Sequence, residues 1–182
     1  ISLTLSAATT RTAVFEPVPP PQLVINEIHY NPADAQGADE VYEFIEIVNT
    51  GAEAVDLEGF GLADGISHTF GAGQSIAAGE IIVVAKTAAT YAALPGVQVF
   101  QWTSGDLSNG GETLTLKDAS GNVIDQVAYD DDDLAVPPWP KTPDGNGPSL
   151  SLLSPASNNN VATSWAASAQ DGGTPGAVNF PP

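Results

Sequence analysis

The chain has 182 residues, with 22 Asp plus Glu against 4 Lys plus Arg, no Cys and no Met, and a formal net charge of −18. Nucleic-acid binding needs clustered cations to neutralise phosphates, and the four cations here, Arg11, Lys86, Lys117 and Lys141, are isolated in sequence. Disulfides and thiolate metal sites are excluded by the absence of Cys, and membrane insertion by the lack of any apolar run near the roughly 18 residues a spanning helix needs.

Ile1-Ser2-Leu3-Thr4-Leu5 alternates like a strand, and Ile1 to Ala8 lacks the basic start of a secretion signal. The missing initiator Met is expected of a mature or excised piece. Phe15-Glu16-Pro17-Val18-Pro19-Pro20-Pro21 favours extended polyproline geometry. Residues 1–22 therefore read as an N-terminal extension and Pro-rich spacer, and residues 23–182 as one domain.

From Leu23 onward, short β-branched and aromatic runs recur between turn signals, which points to a sandwich or barrel. Strands are expected at Leu23 to Tyr30, Tyr42 to Asn49, Ala54 to Ala63, Ser67 to Phe70, Glu80 to Lys86, Val97 to Trp102, Glu112 to Asp118, Val123 to Tyr129 and Ser149 to Leu153. Alternation places Val24, Asn26, Ile28 and Tyr30 on one face, and Leu114 and Leu116 opposite Thr113, Thr115 and Lys117. Ile81 to Ala85 is continuously apolar and should be a central strand buried on both faces. Only Thr87 to Leu94 reads as helical, with Thr87 as N-cap and a stop at Pro95-Gly96. After Tyr129 the composition turns to Asp, Pro, Gly, Asn and Ser, so this half should wrap the sandwich as loops pinned by Trp139 and Trp165.

The order of motifs is more specific than the strand pattern. Ile25-Asn26-Glu27-Ile28 with Asn31-Pro32 is followed by Glu43-Phe44-Ile45-Glu46-Ile47 with Asn49 and Gly51, then Val55-Asp56-Leu57, Gly59-Phe60 and Asp64-Gly65. Leu107-Ser108-Asn109, Gly111-Glu112, Leu114, Leu116, Asp118, Gly121, Val123, Asp125 and Tyr129 continue it. Trp139-Pro140, Asp144-Gly145, Gly147, Ser149-Leu150, Trp165 and Gly173-Thr174-Pro175-Gly176 complete it. This succession resembles the lamin-tail domain family.

The resemblance implies an all-β, immunoglobulin-like β-sandwich with a long wrapping C-terminal segment, and the segment from Trp139 on is similar to the bacterial branch. It further implies an accessory module of an exported multidomain protein, extracellular or at the cell surface. Partners would be neighbouring domains, an extracellular protein or a polysaccharide. The family has no common catalytic residues and no universal ligand, so it implies a fold and a context without an active site.

Two acidic clusters stand out. In the run Asp130, Asp131, Asp132 and Asp133, adjacent carboxylates repel by roughly 0.6 kcal/mol per pair in water. Calcium would reverse that cost, because it takes six to eight oxygens in flexible geometry, and Asp144 and Asn146 could complete the site. The other reading is a solvated loop beside an Asp144-Gly145-Asn146-Gly147 turn. The weaker calcium candidate is Asp34, Asp39, Glu40 and Glu43; there the competing reading has Glu27 and Glu43 accepting hydrogen bonds that fix strand ends.

Asp125 alternates onto the same face as Val123, Val127 and Tyr129, and if that face is inward its carboxylate must accept several hydrogen bonds. His29 and His68 lack partners at ligand spacing, which argues against zinc and for cross-strand or surface positions. Catalysis needs a nucleophile, base and orienter, and neither G-x-S-x-G, H-E-x-x-H nor Cys occurs. A Glu27–Glu43 carboxylate pair could serve glycoside hydrolysis. Trp102, Trp139 and Trp165 serve either as core plugs or, if exposed in line, as a carbohydrate platform. The expectation is a non-catalytic module.

Overall fold

A computed structural model describes residues 22–131 and 137–180. The expected N-terminal extension up to residue 21, and Asp132 and Asp133 of the aspartate run, lie outside the described residues.

The chain runs through β1 (Leu23–His29), a single turn of helix α1 (Asp39–Tyr42), β2 (Phe44–Asn49), β3 (Val55–Asp56), β4 (Gly61–Ala63) and β5 (Ile66–Thr69). It continues with β6 (Ser75–Ile76), β7 (Ile81–Ala85), β8 (Gln98–Gln101), β9 (Ser104–Gly105), β10 (Gly111–Lys117) and β11 (Val123–Asp130). β12 (Pro148–Leu152) and β13 (Trp165–Asp171) close it. A six-stranded sheet, ordered β13-β12-β1-β2-β7-β8, faces a five-stranded sheet, ordered β11-β10-β4-β5-β9, and β3 and β6 form a small ribbon.

Between the sheets, Ile25, Ile28, Ile45, Ile47, Ile82, Val84, Leu150 and Leu152 meet Leu62, Leu114, Leu116 and Val127 in one core. β7 is buried on both faces as its unbroken apolar sequence requires. Ile82 and Val84 join the main core, while Val83 and Ala85 pack outward with Phe44 and Tyr91. The β7–β8 step is parallel, so the chain must cross over between the two strands, and the crossover lays Tyr91 on that outer face.

Several elements differ from the sequence expectation. The helix at Thr87 to Leu94 shrinks to a 3-10 turn at Ala88–Thr90, and Thr87 caps nothing. Its hydroxyl donates instead to the Glu40 carbonyl at 2.7 Å, while Thr90 Oγ1 and Tyr91 Oη donate to the Val41 and Tyr42 carbonyls. So short a segment gains little from helix propagation, and these tertiary bonds decide its shape. Tyr42 ends α1 and does not begin β2. The expected Ala54 to Ala63 strand splits into β3 and β4 because Gly59, at φ 77°, turns the chain tightly against Ala119. β6, β9 and β13 were not expected. The C-terminal half is less loop-like than its composition suggests, since β12 and β13 extend the first sheet.

β1 breaks the expected alternation. A bulge between Ile25 and Glu27 sets two residues, Asn26 and Glu27, against the single Glu46 on β2. Ile25, Ile28 and Tyr30 therefore all reach the core, while Asn26 and Glu27 fall on the outer face. Both ends of the described fold border the Ser154–Pro155 loop: Gln22 and Leu23 in one shallow groove, Asn179 and Phe180 in the next.

Candidate functional site

The six-stranded sheet carries a row of buried polar side chains on its outer face, where an apolar row would be expected. In β1 and β2 the register places Glu27 opposite Glu46, and both are fully buried. Ser149 and Ser151 on β12 point to the same side and both donate to Glu27 Oε1, Ser151 at 3.1 Å. Residues 172–180 then fold back across this row. Thr174 donates its backbone N–H to Glu27 Oε1 at 2.9 Å and its hydroxyl to Oε2 at 3.2 Å. Gly176 N–H donates to Glu46 Oε2 at 2.8 Å, and Asn26 Nδ2 to Glu46 Oε1 at 2.6 Å. Asn179 Nδ2 donates to the Asn26 carbonyl at 2.8 Å.

Burial pushes the Glu27 carboxyl up, against the pull of its four hydrogen bonds. It pushes Glu46 well above the ordinary range, and the neighbouring Glu27 charge adds to that rise. The pair titrates as a unit. Every one of the four carboxylate oxygens accepts a protein donor, so the arrangement fixes the covering segment to the sheet and offers no reactive group to solvent. Sequence reasoning missed Glu46, Thr174 and Asn179 here. The available signal was the Asn26-Glu27 polar doublet inside an otherwise alternating strand.

The expected aspartate-run site is only partly within the described residues. Asp130 ends β11 and Asp131 is exposed beyond it. Asp144 and Asp131 both push the Tyr30 phenol up, after the larger effect of burial. Asp144 also has a structural task, since Asn31 Nδ2 donates to its Oδ1 at 2.6 Å and Gly145 N–H to the Asn31 carbonyl at 3.0 Å. Asn146 Nδ2 donates to the Asp144 carbonyl at 2.7 Å, closing the turn.

Of the second cluster, Asp39, Glu40 and Glu43 line one open cleft together with Lys86, Asp106, Leu107 and Asn109. Asp34 lies on an exposed turn outside that lining. Lys86 enters an ion pair with Asp106, which already supplies the cleft with positive charge. Glu43 accepts from Leu107 N–H at 3.4 Å. Its carboxyl is pushed up to about 7, mainly by burial, with the Leu107 bond and the Lys86 charge opposing. Among the described residues, no three His, Asp or Glu side chains gather as a metal-ligand set.

The proposed Glu27–Glu43 hydrolytic pair does not form: Glu27 is opposite Glu46, and Glu43 faces the Leu107 loop. His29 and His68 are buried cross-strand residues, opposite Phe44 and Leu62. Burial drives His29 down to about 4, so it is neutral above mildly acid pH. Trp102, Trp139 and Trp165 are all buried, and Trp139 packs on Trp165 with centroids 6.1 Å apart. These three indoles therefore form no sugar-stacking surface.

Asp125 is half-buried and anchors through accepted hydrogen bonds, while Val123, expected on the same face, is exposed. Its Oδ2 accepts Ile25 N–H and Asn159 Nδ2, each at 2.7 Å, which ties β11 of one sheet to β1 of the other. Trp165 Nε1 donates to the Asn159 carbonyl at 2.7 Å, extending the tie to β13.

No curated protein matches the chain. The lamin tail domain family model matches residues 17–131, the stretch that contains β1 to β11, and β12 and β13 complete the same sheet beyond it. By that match and by its two-sheet architecture, the chain belongs to the lamin tail domain family.

Proposed function

We propose that this domain is a non-catalytic structural or interaction module of an exported bacterial multidomain protein, extracellular or at the cell surface. It would present its loops to neighbouring domains, an extracellular protein or a polysaccharide. The observation that supports this reading is how the buried and half-buried carboxylates are used. Glu27, Glu46 and Asp125 spend their acceptor capacity on backbone, hydroxyl and amide donors that hold strands and the covering segment, which is structural chemistry. The test is a screen of the purified domain against chromogenic glycosides, esters and phosphoesters. No turnover above buffer is expected; sustained turnover abolished by Glu43→Gln or Glu27→Gln would overturn the reading.

A calcium-stabilised binding module for an extracellular polymer is the second reading, favoured by the negative charge that both Asp131 and Asp144 exert on Tyr30. Calcium that binds only the folded state stabilises it by about 2.7 kcal/mol at a hundred times Kd. Millimolar calcium should then raise Tm by several degrees, a chelator should reverse it, and Asp144→Asn should abolish it. An unchanged Tm removes this reading and leaves a solvated loop.

A further inference from the structure

Residues 172–180 leave β13 through Gly172 and Gly173, both in the left-handed region at φ 80° and 73°. Gly173 approaches Glu27 and Ser149 so closely that a Cβ has no room. Beyond this hinge, Thr174 and Gly176 attach to Glu27 and Glu46 by the three donated bonds described above, and Asn179 attaches to Asn26.

The groups facing the pair are few. β1 supplies His29, neutral above mildly acid pH. The turn after β7 supplies the Tyr91 phenol, which burial raises far above its ordinary range. β12 supplies two serines. β13 ends in Asp171, which lies against Gly147. Among the described residues, no cation is one of the groups acting on either carboxylate.

The geometry points to a proton latch: Glu27 and Glu46 hold the 172–180 strap against the sheet while one of them stays protonated, and release it on the Gly172–Gly173 hinge when both ionise. The closed strap excludes water from two carboxylates in direct cross-strand register, where like charges repel. With that proton gone, no counter-charge among the described residues offsets the second ionisation, and opening the strap rehydrates both groups. Opening releases the retained proton. The opening constant therefore rises by up to about tenfold per pH unit between the ordinary glutamate range and the pair's own titration.

Amide hydrogen exchange by NMR on the whole chain, from pH 5 to 9 and corrected for intrinsic rates, tests this. Protection at Thr174 and Gly176 should fall by up to about tenfold per pH unit, while Ile47 and Val84 in the β2–β7 ladder hold theirs. Glu46→Gln should flatten the Thr174 and Gly176 profiles. pH-independent protection in the wild type, an equal loss at Ile47 and Val84, or an unaltered slope in Glu46→Gln would each overturn the latch. Should Glu46→Gln not fold, Glu27→Gln makes the same comparison, and the wild-type profile is decisive by itself.

Discussion

Asp125 offers the sharpest stability test, because one carboxylate oxygen joins the two sheets. Asp125→Ala leaves the Ile25 N–H, in a fully buried strand residue, without its 2.7 Å acceptor. An orphaned buried donor costs about 1–3 kcal/mol. Asn159 Nδ2 loses a second 2.7 Å bond but keeps the Ile25 carbonyl at 3.2 Å, which limits its share to about 1 kcal/mol. Removing a carboxyl that burial has raised above 3.8 returns some of this, so we expect a net loss of about 2–3 kcal/mol. At about 2–4 °C per kcal/mol for a domain of this size, Tm should drop by about 5–10 °C.

Asp125→Asn keeps a carbonyl oxygen for Ile25 once the Asn159 amide rotates, and should lose only about 1 kcal/mol. Because the folded carboxyl titrates above its ordinary value, its contribution is greatest in acid and declines as pH rises through the folded value. The wild-type advantage over Asp125→Asn should shrink in that direction. Urea unfolding followed by circular dichroism and Trp fluorescence measures all three proteins. A loss below about 1 kcal/mol in Asp125→Ala, or equal losses in the Ala and Asn variants, would refute the cross-sheet tie.

Glu43, pushed up to about 7 by burial, should make wild-type stability fall as pH rises from about 4.5 to 7, by about 1–2 kcal/mol after allowance for screening in its open cleft. Glu43→Gln should flatten that part of a Tm-versus-pH curve, and a curve of unchanged slope would dismiss the assignment. Gly173→Ala should cost about 2–3 kcal/mol, because the backbone is left-handed and a Cβ has no room beside Glu27 and Ser149; urea midpoints of the two proteins check this. Trp165→Phe loses the 2.7 Å bond to the Asn159 carbonyl and should cost about 1–2 kcal/mol by thermal unfolding. Val123→Thr, on a side chain 56 % exposed, should change stability by no more than about 0.5 kcal/mol.

Much of the sandwich was legible because its strands carry period-two signals that match their burial. Leu114 and Leu116 face the core as their spacing demands, and the all-apolar Ile81–Ala85 run is covered on both sides. β13 was illegible for the opposite reason: Trp-Ala-Ala-Ser-Ala-Gln-Asp has weak strand propensity and is a strand because β12 offers it an edge. The Thr87 to Leu94 helix misled because its Ala content speaks only of local preference, while three side chains bond across to α1. The candidate site was legible in part. Asp125 announced itself by phase, whereas Glu46 became visible only after the bulge at Asn26-Glu27 rotated two polar residues onto its face. The strap contacts bring together residues more than 120 apart, a distance no local pattern encodes.

The Ser154–Pro155 loop borders both Gln22 and Phe180, so tension applied through those two residues loads one pole of the sandwich and leaves the opposite one slack. Gln22 leads directly into β1, which is bonded on both sides by β12 and β2, so a pull there acts on the interior of the six-stranded sheet and not on its edge.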